Sequence, residues 1–212
     1  MHTARSRSQI GQILVLVVAL AGWGIWVATN SRLLGIVANT ALLVVAVGVL
    51  ALPAGVLLAV ALVKTDLPGR RLLGAVLFAT LFVPLYLQAA GWEAAAGVQG
   101  WLSGLVPRRT WLEGMPAVVW VHAVHALAWV TGIIVIGLAY VAPELEERAA
   151  LVASGRRVIW HVTLPGALPA ICGAAVWLAI TLAGEMSVTD LYQVRTYAEE
   201  VYTGFALGAT PA

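Results

Sequence analysis

The chain has 212 residues, 61% hydrophobic and 10% charged, with 12 Lys+Arg against 10 Asp+Glu and a formal net charge of +2. Soluble domains carry roughly 45–50% apolar and about 25% charged residues, so this composition excludes an ordinary water-soluble fold, and so small a charge calls for no nucleic-acid partner. The single cysteine, Cys172, excludes an internal disulfide and a metal cluster built from cysteines of this chain.

Five apolar runs approach the length of about 20 residues that a transmembrane helix needs: 10–29, 39–63, 72–91, 117–141 and 166–183. The short alternating segments of a membrane β-barrel are missing from the sequence. The expected fold is an all-α membrane protein, a polytopic bundle of about five transmembrane helices. Residues 1–32 form an N-terminal tail and first span, and 33–212 form the core. Arg5 and Arg7 precede the first run as they would in a secretory leader. The run extends through Trp23 and Trp26, however, and lacks a small-residue cleavage site, so it reads as a retained span.

Basic loops stay in the cytoplasm. With a cytoplasmic N-terminus, eight of the twelve basic residues share that side: Arg5, Arg7, Lys64, Arg70, Arg71, Arg148, Arg156 and Arg157. Arg32, Arg108, Arg109 and Arg195 fall on the other. Trp23, Trp26, Trp92, Trp101, Trp111 and Trp120 cluster at the outer boundary, at the depth where amphipathic rings settle. Within the second run Pro53 and Gly55, and within the third Pro84, interrupt helices that must satisfy their own backbone in lipid, so kinks facing a pathway or a packed neighbour are expected there. Residues 91–116 mix aromatic and charged side chains and read as an outer surface segment, a short interfacial helix and a turn at Pro107-Arg108 or a loop.

His122 and His125 share a face of the fourth run. That spacing suits a metal or a proton relay, and equally packing or hydrogen bonding at the interface. The stretch 143–165 is charged and amphipathic between two apolar runs. Pro143 with Glu144, Glu146 and Glu147 suits a first helical turn, Gly155 a stop, and Arg156 to Trp160 a second short helix on the membrane surface. After Ala183, Glu185, Thr189 and Asp190 bring acids and a hydroxyl to the end of a span. There they either pair in a water-filled cavity or have reached the outer aqueous phase. No phosphate-cradling G-x-x-x-x-G-K-[ST] loop is present and Lys64 is the only lysine, which excludes nucleotide hydrolysis by this chain. Ser103, Ser154 and Ser187 stand in no nucleophile elbow, so the chain is expected to be no enzyme, with no catalytic and no metal-ligating residues.

The 143–165 stretch resembles the cytoplasmic coupling loop of binding-protein-dependent ABC importer permeases. In that family the loop carries Glu-Ala-Ala, a glycine, and a closing Ile-x-Leu-Pro. Val162-Thr163-Leu164-Pro165 matches the close, and Glu146 stands at the family's distance from it. Counted back from Pro165, the family's alanines meet Glu147 and Arg148 and its glycine meets Val152, whereas Ala149-Ala150 and Gly155 come about three residues later. Either the turn has moved by about one helical turn, or the docking surface is altered. Asn39-Thr40, Leu67-Pro68-Gly69-Arg70-Arg71, the stretch from Gly184 to Leu191 and that from Thr196 to Tyr202 are similar to the ferric-iron branch, and the resemblance spans roughly residues 33–205.

The resemblance implies a type I importer fold in a bacterial cytoplasmic (inner) membrane, multi-pass, acting as the permease subunit of an ATP-driven importer for ferric iron. Related branches carry sulfate, thiamine or polyamines. It implies ABC ATPase subunits that hold ATP and Mg, an external substrate-binding protein, and a second permease half or copy, with no cofactor in this chain. Glu146, Glu147, Ala149, Ala150, Gly155, Leu164 and Pro165 would meet the ATPase; Glu185, Thr189 and Asp190 are the candidates for the path or outer gate. The family continues with a further span where this chain stops, so a split or truncated permease acting only as a membrane interaction protein is the competing expectation.

Overall fold

A computed structural model describes residues 31–97, 100–102 and 112–208, and every regular element among them is helical. The first expected span therefore lies outside the described residues. Helix α1 (Ser31–Lys64) and helix α4 (Gly114–Ala139) are each long and apolar enough to cross a membrane. Two further pairs pass the same test only as bent units: α2 (Arg70–Thr80) with α3 (Leu85–Ala96), bent by 106°, and α6 (Gly155–Gly166) with α7 (Leu168–Gly184), bent by 60°. The described residues thus hold two to four candidate spans. The third expected run, 72–91, is not one helix but two.

Proline chemistry explains that break. Pro84 caps α3 and offers no N–H to the preceding turn, and its ring drives Val83 away from helical geometry. Residues 78–83 tighten into turns with bonds from Leu81 N–H to Phe78 O and from Val83 N–H to Thr80 O. Carbonyls at the break are met from the next helix: Gln88 Nε2 donates to Val83 O at 3.0 Å and, beside Val83 N–H, to Thr80 O at 3.4 Å. A backbone break at membrane depth survives only when its polar groups find such partners. Pro53, by contrast, sits inside an unbroken α1.

Among the described residues α1 and α4 form the most extensive helix contact. They run in the same direction, since Gly55 meets Val130 while Lys64 at the end of α1 meets Glu146 just past the end of α4; α2 and α3 carry the chain back. Gly55 lets the two approach, since a Cβ there would lie 2.5 Å from Val130 Cγ1. α7 returns antiparallel to α4, and Gly137 makes room for Ala170 in the same way. Lipid is as apolar as leucine, so helices in a membrane gain from close backbone approach rather than from hiding oily surface from water. The core fits that rule, with Ala51, Ala59, Ala126 and Ala174 filling the seams beside Leu43, Val47, Ile134, Leu138 and Leu178. Leu42, Val45, Val49, Leu57, Val76, Ile136 and Ile180 stay exposed on the outside of the bundle.

Two polar ends follow from this topology. At one, α1 ends at Lys64 and α4 leads into α5 (Pro143–Ala150) and α6. At the other, α1 begins, α7 finishes at Gly184, and the chain folds through α8 (Ser187–Leu191) and α9 (Tyr197–Ala206).

Candidate functional site

At the Lys64 end, Glu146 sits on the inward face of the amphipathic helix α5. Lys64 Nζ donates to its Oε2 at 2.6 Å and Thr163 Oγ1 donates to its Oε1 at 2.6 Å. One carboxylate thereby ties the last residue of α1, helix α5 and the middle of α6. Burial by itself would raise the Glu146 carboxyl, but the hydrogen bonds from Lys64 and Thr163 and the lysine charge outweigh it and hold the group below its ordinary range. The α6 backbone is a π turn from Ile159 to Thr163. Such one-turn irregularities often mark functional sites, and this one ends on the buried Thr163 that faces Glu146.

The other loop residues separate cleanly. Glu147 and Ala150 are exposed, Ala149 and Leu164 are half-buried, and Pro165 is exposed in the last turn of α6. Leu145, Leu151, Val152 and Trp160 present large apolar surface outward, Leu151 and Val152 at 86% and 87% exposure. The turn between the helices lies at residues 151–154, with bonds from Val152 and Ala153 N–H to Ala149 O. Gly155 is therefore not the helix stop expected of it. It is the first residue of α6, after Ser154 at the cap. The turn includes Val152. No left-handed backbone is required there, since Gln193 is the one non-glycine residue with positive φ among the described residues.

At the opposite end, α4 and the end of α7 converge on a cavity of about 270 Å³ lined by Leu85, Ala126, Trp129, Trp177, Thr181 and Leu182, together with His122, His125 and Glu185. The Trp129 and Trp177 rings lie 5.2 Å apart. His122 is buried, its Nδ1 2.8 Å from Val118 O and its Nε2 3.1 Å from Glu185 Oε2. Glu185 in turn accepts from Ser187 N–H at 2.6 Å and from Val188 N–H at 3.3 Å, capping α8. Glu185 is thus paired and lines the cavity. Nδ1 of His125 is buried without a hydrogen-bond partner among the described residues.

Thr189 and Asp190 do not join this cavity. Thr189 is fully buried, donating to Met186 O at 3.0 Å and lying 3.4 Å from Thr196 Oγ1, and so braces the α8 turn. Asp190 is exposed. At the same end the segments 39–40 and 195–200 meet: Asn39 Nδ2 donates to Arg195 O at 3.0 Å, Thr40 Oγ1 accepts from Tyr197 N–H at 2.9 Å, and Arg32 pairs with Glu200 at 2.9 Å. Close by, burial and the Glu93 carboxylate push the Tyr192 phenol up to about 12.

Sequence reading missed Lys64 and Thr163 as partners of Glu146, and His122 as the partner of Glu185. The separations of 82 and 63 residues carry no periodic signal. The one available hint was a lone lysine closing an apolar run. No group of three or more metal-ligating side chains occurs among the described residues. No protein-family model matches the chain, and no curated protein matches it significantly.

Proposed function

We propose that this chain is the transmembrane subunit of an ATP-driven, binding-protein-dependent importer in a bacterial inner membrane, with ferric iron as cargo. The chemistry of ATP hydrolysis would reside on a separate ATPase, and capture of the cargo on a substrate-binding protein outside. The observation that carries the reading is the Lys64–Glu146–Thr163 tie. It fastens an amphipathic, outward-facing helical pair to the ends of long apolar helices, so a push on Leu151 and Val152 is delivered to the bundle as rigid-body motion. In support, the basic residues Lys64, Arg70, Arg71, Arg148, Arg156 and Arg157 gather at this end, as a cytoplasmic face requires. In this reading Glu146 positions the lever, while Leu145, Glu147, Leu151 and Val152 meet the ATPase. The cavity beside Glu185 belongs to the outer gate.

The test is copurification with an ABC ATPase subunit. L151E/V152E is expected to abolish association while the subunit still inserts and keeps its melting temperature, because both side chains lie outside the core. Undiminished association would refute the coupling assignment. Uptake of ferric iron, against sulfate, thiamine and a polyamine, by vesicles holding the assembled system then tests the cargo. Assembly without any stimulated ATP hydrolysis would instead favour a non-transporting interaction protein.

A further inference from the structure

The contacts of His122 count protons. A carbonyl oxygen only accepts, so at 2.8 Å from Val118 O the Nδ1 atom must carry its hydrogen. A neutral imidazole would then turn the bare lone pair of Nε2 toward Glu185 Oε2, 3.1 Å away. Two acceptors at that distance repel, and the contact is attractive only with a second proton between them. That proton cancels the carboxylate charge beside the apolar side chains of Leu85, Ala126, Trp129, Trp177 and Leu182.

We propose that His122 and Glu185 form a one-proton binding site that latches the end of α7 and the start of α8 onto α4 and keeps Ala126 in the wall of the adjacent cavity covered. The latch spans two elements: His122 belongs to α4, whereas Glu185 joins α7 to α8 through the bonds from Ser187 and Val188 N–H. Loss of the proton as pH rises leaves lone pair against carboxylate, so Glu185 withdraws and the cavity opens toward Ala126, which is buried in the latched form. The other titratable group lining the cavity is His125, also on α4. α3 contributes Leu85 and α7 contributes Trp177, Thr181 and Leu182, none of them ionisable, while α8 faces Glu185 with backbone N–H groups and keeps Asp190 exposed. The inference goes beyond the transport reading and does not depend on it, because binding a proton requires neither ATPase nor cargo.

The experiment uses the full chain in lipid nanodiscs, with Cys172→Ser and a reporter A126C at the buried wall of the cavity, and an exposed S154C reporter to normalise the intrinsic reactivity of the thiol. Labelling by a maleimide is compared at about pH 5 and about pH 8, which bracket the range over which imidazoles exchange their proton. The normalised rate at A126C is expected to rise roughly tenfold at the higher pH, the scale of losing a charge-assisted hydrogen bond. In E185Q, where the amide still caps α8 but no charge binds the proton, the rate is expected to lose its pH dependence. A second measurement, ¹⁵N spectra of histidine-labelled protein with H122N to assign the signal, is expected to show both His122 ring nitrogens protonated in the closed state. A normalised rate that does not change with pH, or that changes equally in E185Q, overturns the proposal, as does a singly protonated His122 at the lower pH.

Discussion

Removal of the Glu146 carboxylate tests how the surface helices are held. In E146A, Lys64 and Thr163 each lose a 2.6 Å hydrogen bond while their side chains stay mostly enclosed, the lysine only 20% exposed. A hydrogen bond to a charged group contributes about 1.5–3 kcal/mol, and breaking a fully buried ion pair costs about 3–5 kcal/mol. With residual exposure on both partners, E146A is expected to destabilise the subunit by about 2–4 kcal/mol. E146Q retains an acceptor for Thr163 and is expected to cost about 1–2 kcal/mol. Stability is read by titrating SDS into the detergent-solubilised protein and following the loss of helix. The pH dependence has a definite sign. The folded carboxyl lies below its ordinary value of 4.5, so its contribution is complete above that value and is lost as pH falls through the lower, folded one. E146Q should lack this acid-sensitive component. If E146A unfolds within about 0.5 kcal/mol of wild type, the scale of an ordinary surface change, then the tie is only a surface contact and the lever argument fails with it.

At the helix crossing, G55A places a methyl group 2.5 Å from Val130 Cγ1 and is expected to cost about 1–3 kcal/mol by the same titration, with V130A restoring part of the loss. Replacing Gln88 by Leu strips the partner from the Val83 carbonyl at the α2–α3 break, and a loss of about 1–3 kcal/mol is expected. T40V removes the acceptor of Tyr197 N–H and is expected to raise protease cleavage within 195–206 without disturbing the α4–α7 packing.

Composition and length alone determined that this is a helical protein suited to a membrane, because a long run without charge has few stable forms except a helix in lipid or a core. They also placed α1 and α4, since each is apolar on all sides and needs no partner to be recognised. The amphipathic pair at 143–165 was legible from its proline, its acids and its charge contrast, although Gly155 misled. A glycine is compatible with either end of a helix, and the turn at 151–154 closes without one.

How the polar groups are used follows from the packing of helices distant in sequence. Nothing in the local sequence tells Glu146, turned inward to Lys64 and Thr163, from Glu147, exposed one residue later. Likewise Glu185 meets His122 while Asp190 faces outward, although both stand in one short polar stretch. The physical reason is range. Helix formation and membrane preference are sums over neighbouring residues, whereas an ion pair depends on which remote helix end arrives within about 3 Å, and that is set by how the helices cross at Gly55 and Gly137.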